Sequence, residues 1–295
     1  MKILITGSTG QLGSDCRWVL GVRHELIPLP EETLDITDRR AVMAAVRRHR
    51  PDLILNCAAF TAVDAAEVER ERAYQVNVLG PRNLAEAAAR QGARLVHLST
   101  DYVFGGDRTP PRPYIEEDEP GPVSHYGRTK LLGEQAVREV LSDSVIVRTS
   151  WLYGIHGQNF LKTMLRLARR RPPQPLRVVH DQFGSLTWSY RLAEQLAKLI
   201  EADGRGLYHA TAEGVCTWYE AAAAFLELMG VEHTLIPITT AEFPTPAVRP
   251  RNSILENRRL KEADLNLMRP WREDLARFAA RHRETLLTQT APPGG

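Results

Sequence analysis

Along the first half of the chain, apolar residues gather in short runs, and between the runs they recur at helical spacing. Lys2–Thr6, Glu25–Leu29, Asp52–Asn56, Arg94–Ser99 and Ser144–Thr149 predict strands. Behind Asp38, the positions Ala41, Val42, Ala45 and Val46 recur as i, i+1, i+4, i+5, which predicts a capped helix with one buried face. The alanine-rich Pro81–Gln91 predicts another, closed at Gly92. Strands alternating with helices make βαβ units, so the fold class expected is α/β, a Rossmann-type doubly wound parallel sheet. After Ser150 the rhythm changes. Asn159–Arg171 predicts a helix ended by Pro172-Pro173, and Leu192–Ala202 another ended at Gly204. Phe243–Pro250 carries Pro244, Pro246 and Pro250, which excludes a regular helix or a central strand. Residues 1–150 are therefore expected to form the sheet domain, and 151–290 mainly a smaller, mostly helical lobe over it. Part of 181–205 is expected to pack back on the sheet, and Thr290–Gly295 to fray.

Composition narrows the function classes. The 295 residues carry 38 Lys+Arg against 36 Asp+Glu, a formal charge of +2, so no basic surface is forced and no nucleic-acid partner is expected. No run approaches the roughly 20 apolar residues of a spanning helix, so no membrane partner is expected. Met1 leads directly into the first strand-like run, leaving no room for a signal peptide, and a cytoplasmic location follows as an expectation. Cys16, Cys57 and Cys216 lie far apart with no CxxC spacing, and the nine histidines give no HExxH, so neither a disulfide framework nor a metal site is expected. Arg169-Arg170-Arg171, at a predicted helix C-terminus, complements the helix dipole.

Three motifs carry chemistry. Gly7-Ser8-Thr9-Gly10-Gln11-Leu12-Gly13 follows the first predicted strand. Glycines there let the backbone turn tightly and approach a pyrophosphate, whose charge sits at the next helix N-terminus. No aspartate ends the second strand at Leu29-Pro30, and no arginine is evidently placed for a 2′-phosphate. NADH and NADPH both stay open, with a lean to NADPH or dual use. Asp35-Ile36 lie where adenine would be contacted, and equally where a turn would precede a helix. Tyr126 and Lys130, four apart, project from one helix face, so the ammonium is expected near the phenol, lowering its pKa for proton exchange at a carbonyl or alcohol. Ser99-Thr100-Asp101-Tyr102-Val103-Phe104 closes the fourth strand, where doubly wound sheets bind ligands, and Thr100 and Asp101 can grip a hydroxyl or carbonyl.

Together with Arg148-Thr149-Ser150-Trp151, these motifs resemble the extended short-chain dehydrogenase/reductases, and among them most closely the dTDP-4-dehydrorhamnose reductases. The resemblance continues through Asn159-Phe160, Asp181-Gln182-x-Gly184 and Pro244-Thr245-Pro246-Ala247-x-Arg249-Pro250. It implies reduction at C4 of a dTDP-4-keto-6-deoxysugar by hydride from NADPH or NADH, in residues 1–150 as the NAD(P)-binding domain and 151–290 as the nucleotide-sugar lobe. Tyr126 would donate the proton, Lys130 would hold the nicotinamide ribose, and Thr100 would bond the reacting oxygen. Gly7, Thr9, Gly10, Gln11, Leu12 and Gly13 would bind the pyrophosphate, with Asp35, Ile36, Ala58, Ala59 and Thr61 along the cofactor cleft. Asp101 and Trp151 would touch the sugar nucleotide, and Arg249 would grip its pyrophosphate, since a fork of donors among prolines suits a preformed phosphate site. Some relatives hold Mg²⁺ at a dimer contact near the start of the first helix; Asp15 sits there, but one carboxylate does not make an ion site. A homodimer is compatible with the resemblance. Related dehydratases carry glutamate where this chain has Tyr102, whose ordinary pKa of about 10 makes it a poor base, which disfavours elimination. Two further readings are a related reductase or epimerase giving another 6-deoxysugar, and a non-catalytic cofactor-binding regulatory subunit of the same fold.

Overall fold

The computed structural model describes residues 1–170 and 174–290. Its centre is a six-stranded sheet in which every pair is parallel. Five strands lie where the apolar runs predict: β1 (Lys2–Thr6), β2 (Glu25–Leu29), β3 (Leu53–Asn56), β4 (Arg94–Thr100) and β5 (Val145–Thr149). Asp52, expected to open the third strand, lies just before β3, and its carboxylate accepts the Lys2 amide at 2.7 Å, tying the start of β1 to β3. The sixth strand, Gly206–His209, pairs with β5 and was not expected. Its four residues include a glycine and a histidine, too weak a pattern to read without the neighbouring strand. The order is sixth strand, β5, β4, β3, β1, β2. Pro28 is tolerated because β2 is an edge.

Six helices of the first half are α1 (Gln11–Leu20), α2 (Arg39–His49), the short α3 (Val63–Ala66) and α4 (Arg70–Tyr74), α5 (Gly80–Gln91) and α6 (His125–Val140). Asp38 caps α2, its carboxylate accepting from the amides of Arg40 and Ala41, and Gly92 ends α5 in the left-handed conformation that a side chain would oppose. Alternation along the strands divides the core. Ile3, Ile5, Leu53, Leu55 and Val147 face Leu12, Cys16 and Leu20 of α1 together with Leu192 and Leu196 of helix Ser189–Glu201. Leu4, Ile54 and Leu95 face Val42, Val46, Leu84 and Val137 on the other side. The chain order reverses direction between β1 and β3, which opens a crevice at their carboxyl ends, where sheets of this kind bind ligands.

Beyond Ser150 a separate apolar cluster joins Tyr153, Leu161, Leu165, Phe225, Trp271 and Phe278. This half is mostly helical, as expected, and also holds three two-stranded sheets, such as Leu176–Val179 with Leu235–Ile238. The helix expected over Asn159–Arg171 spans Phe160–Ala168, capped by Asn159; Arg171 and Pro172-Pro173 lie outside the described residues, as do 291–295. Among the described residues, no helix is long and apolar enough to cross a membrane.

Candidate active site

The glycine loop is shaped by two close approaches. Gly7 has φ +61°, and a Cβ there would lie 2.7 Å from the amide nitrogen of Ala58. A Cβ on Gly13 would lie 2.2 Å from the Gly7 carbonyl oxygen. Only glycine lets β1, β3 and α1 meet this tightly. Gly10 caps α1 with no side-chain bond, and the first turn holds no acidic residue, so the amides of the helix start are open to an anion. Ser8 Oγ nearby is buried without a hydrogen-bond partner among the described residues. These residues fit the pyrophosphate of a dinucleotide. Thr9 is exposed at the loop tip, whereas the Leu12 side chain packs into the core and leaves only its backbone available. Gln11 is tied to the second half, its Oε1 accepting from Asn159 Nδ2 at 2.9 Å. Ala58 and Ala59 are half-buried beside the loop and Thr61 is exposed. Asp35 is exposed and forms a turn, its Oδ1 accepting from the Thr37 amide and hydroxyl at 2.8 Å each, and the Ile36 side chain lies in the core under Gly80.

α6 brings the acid–base pair to the end of β4. Ser124 caps the helix by accepting the Gly127 amide, and a Cβ on Gly127 would lie 2.1 Å from the Tyr102 carbonyl oxygen, so glycine after Tyr126 lets the helix seat on the turn Asp101–Val103. Tyr126 is buried, and burial pushes its phenol up to about 12, with Thr100 pulling it partly back. Lys130 Nζ donates to the Leu98 carbonyl at 2.7 Å, and burial lowers its pKa to about 8 against the opposing pull of Glu134. The expectation that the ammonium depresses the phenol pKa is thereby corrected. One helical turn does place both side chains on one face, but the ammonium is satisfied by β4, and desolvation governs the phenol.

Thr100 Oγ1 donates to Asp101 Oδ1 at 2.9 Å and accepts the Tyr102 amide at 3.2 Å. Asp101 Oδ2 is buried with no partner among the described residues, and burial raises the carboxyl to about 7. An acid whose folded pKa lies above its unfolded value of about 4 costs stability as pH rises between the two values, because only the unfolded chain ionises there. Denaturant unfolding from pH 4 to 8 is expected to show this decline in the parent protein and a weaker one in Asp101→Asn. Equal slopes would contradict the assignment.

Two arrangements hold this site in place. Glu134 accepts both Arg148 Nε (2.9 Å) and Nη2 (2.8 Å) and the Ser99 hydroxyl (2.5 Å), so a buried ion pair locks α6 to the ends of β4 and β5. A π-helical turn, Gln75–Leu79, carries the buried Asn77, whose Oδ1 accepts the Phe60 amide at 2.9 Å and whose Nδ2 donates to Phe60 O and Thr129 Oγ1 at 3.1 Å each. Asn77 thus fastens the loop after β3 to the helix bearing Tyr126 and Lys130. Neither Asn77 nor Glu134 was singled out from the sequence.

Trp151 leaves β5 at the same sheet edge as Thr100, which pairs in register with Thr149. It takes φ +46° and stacks on Trp218 with ring centroids 3.6 Å apart. Gly184 admits the indole, since a Cβ there would lie 2.5 Å from the ring. Trp218 Nε1 donates to Gln182 Oε1 at 3.1 Å, and both border an apolar cavity of about 310 Å³ with Phe160, Met164, Val178 and Arg249. Arg249, expected as a free phosphate grip, is instead ion-paired: Nη1 and Nη2 donate to the Asp64 carboxylate at 3.0 and 2.7 Å. Asp15 does not suit Mg²⁺. It is buried, accepts the Ser189 hydroxyl at 2.5 Å, and burial raises its pKa. Among the described residues, no three metal-ligating side chains gather.

The family described as the RmlD substrate binding domain matches residues 1–284. A dTDP-4-dehydrorhamnose reductase of Streptomyces griseus is 45% identical over 92% of this chain and 91% of its own length. The chain belongs to the dTDP-4-dehydrorhamnose reductase family. The crystal structure of a family member from Bacillus anthracis, in complex with NADP, superposes with a TM-score of 0.91 at 41% identity, covering 95% of this chain and 99% of that one. A Streptomyces niveus relative named dTDP-4-keto-6-deoxy-D-glucose reductase is 42% identical over 91% of this chain and 93% of its own. Within the family's fold, the glycine loop, Thr100, Tyr126 and Lys130 of this chain stand at the carboxyl edge of one sheet, and Trp151 leaves that edge toward Trp218.

Proposed function

We propose that this protein reduces the C4 ketone of dTDP-4-dehydro-L-rhamnose to give dTDP-L-rhamnose, with Tyr126 as proton donor. The observation that carries this reading is the placement of the buried Tyr126 phenol beside Thr100, one helical turn from Lys130, at the carboxyl edge of the sheet. A reduced nicotinamide, NADPH or NADH, supplies the hydride when bound. The glycine loop and the start of α1 hold its pyrophosphate, and Lys130 holds the adjoining ribose. Thr100 orients the ketone oxygen. As C4 accepts the hydride, the carbonyl electron pair passes to oxygen and the phenol of Tyr126 gives up its proton there. A phenol held near 12 is fully protonated at neutral pH, which suits a donor rather than a base. Asp101, Trp151 and Arg249 contact the sugar nucleotide. Residues 1–150 form the cofactor half and 151–290 mainly the substrate half.

The test is consumption of NADPH on addition of dTDP-4-dehydro-L-rhamnose, with dTDP-4-keto-6-deoxy-D-glucose as the competing substrate. Higher kcat/KM on the second would replace this reading with that of the Streptomyces niveus relative. Lys130→Ala is expected to lower kcat and raise the KM for NADPH, each by about tenfold, because one side chain serves both the ribose and the site's charge. A change confined to kcat would remove the ribose role.

A further inference from the structure

The segment Phe243–Pro250 crosses from the second half of the chain to the loop that follows β3, and one carboxylate receives it. Asp64, on the short α3, accepts Arg249 Nη1 at 3.0 Å and Nη2 at 2.7 Å, and its Oδ1 also accepts the Ala247 amide at 3.1 Å. The segment is braced internally as well, with Thr245 Oγ1 donating to the Ala247 carbonyl at 3.0 Å and Arg249 Nη1 reaching Thr245 Oγ1. Its prolines leave few backbone donors to anchor it elsewhere. Arg249 and Thr245 border the apolar cavity beside Trp218, so where this strap lies decides the shape of that cavity's mouth. On the inner side Tyr102, edge-on to Tyr126 at 5.5 Å between ring centroids, lies within reach of the Arg249 guanidinium. Asp64 belongs to the stretch that Asn77 fastens to α6, so the strap is referenced to the catalytic helix and not only to its own lobe.

We propose that Asp64 is a positioning residue for the sugar nucleotide: it clamps Arg249 and the Ala247 amide and so holds the Phe243–Pro250 strap against the mouth of the cavity beside Trp218. The proposal rests on the reductase reading above. It explains why Arg249 stands paired: a guanidinium fixed bidentately keeps its plane and position, whereas a free arginine would have to be ordered by the ligand at an entropic cost. The pair is partly exposed, at 40% for the Asp64 side chain and 22% for that of Arg249, so its loss is expected to cost little global stability.

The test is made on the full chain with Asp64→Asn and Asp64→Glu. For Asp64→Asn, calorimetric titration with dTDP is expected to show affinity weakened by about tenfold, a loss within the usual range for one truncated charge-assisted contact. The KM for the nucleotide sugar should rise in parallel, with kcat and the KM for NADPH within about twofold of the parent. Asp64→Glu should recover most of the loss. Hydrogen exchange of the amides of Thr245–Arg249 should quicken in Asp64→Asn while exchange elsewhere is unchanged, a readout that needs no substrate. In an Arg249→Gln background, Asp64→Asn should cost less than it does in the parent, since only the Ala247 contact is left to weaken. Unchanged or tighter dTDP binding, a loss falling on kcat alone, or unaltered exchange in the strap would each overturn the proposal. Faster strap exchange in a chain that binds dTDP but turns over no keto sugar would leave the clamp standing and remove the reductase reading. Failure of the parent protein to bind dTDP would remove both.

Discussion

Tyr126→Phe is expected to lower kcat by at least about 10²-fold, the low end of what a positioned general acid contributes. The substitution deletes one hydroxyl from a side chain that is already buried and packed against Tyr102, so the fold has no reason to change. The effect should therefore fall on the chemical step. Lys130 keeps its bond to the Leu98 carbonyl and the glycine loop is untouched, so the dissociation constant for NADPH should stay within about twofold. Burial sets the pH behaviour: with the phenol near 12, no loss of activity from Tyr126 ionisation is expected across the neutral range. Steady-state rates and a fluorescence titration of cofactor check both halves. A kcat within about threefold of the parent would remove Tyr126 from the proton-transfer role.

The second large effect is on stability. Arg148→Met is expected to destabilise the protein by about 3–5 kcal/mol, because it leaves the Glu134 carboxylate buried with its cation gone. The side chains of the pair are 3% and 2% exposed, and Arg148 also lies over the Phe104 ring at 5.1 Å, so water cannot replace the lost charge without opening the core. Among the described residues, only the Ser99 hydroxyl would still bond the carboxylate. For a chain of 295 residues the loss corresponds to a melting temperature lower by about 5–8 °C. Replacing both partners, as in Arg148→Met with Glu134→Leu, should recover much of it, since an apolar pair of similar volume carries no stranded charge. A single variant melting within about 2 °C of the parent would contradict the role given to this pair. Because Glu134 lies one turn beyond Lys130 and Ser99 adjoins Thr100, the single variant should lose activity together with stability.

What the sequence discloses and what it conceals divide along the range of the interactions. The five strands, the Asp38 cap, the Gly92 stop and the glycine loop are legible because each depends on residues within a few positions of one another. The same holds for Tyr126 and Lys130, whose common face follows from helical spacing alone. Their electrostatics were not legible. Whether Lys130 governs Tyr126 depends on where the ammonium finds its partner, and that partner is a carbonyl 32 residues away on β4. Asn77 acts through a π-helical turn that forms as the chain packs on α6 and Phe60, and no periodicity announces it. Asp64 and Arg249 are 185 positions apart, so the reading of Arg249 as a free grip could not anticipate its carboxylate. Trp151 was visible as a site residue, but its stacking partner Trp218 was not, because a lone tryptophan opening a helix has an equally good account as core.

The most direct test of the account follows the hydride. NADPH dideuterated at C4 of the nicotinamide, incubated with the protein and dTDP-4-dehydro-L-rhamnose, should give a product whose proton NMR spectrum lacks the sugar H4 signal, while unlabelled NADPH should give a product with the large H3–H4 and H4–H5 couplings of the rhamno configuration. Deuterium elsewhere on the sugar, a product of the other configuration at C4, or cofactor left unconsumed would contradict it.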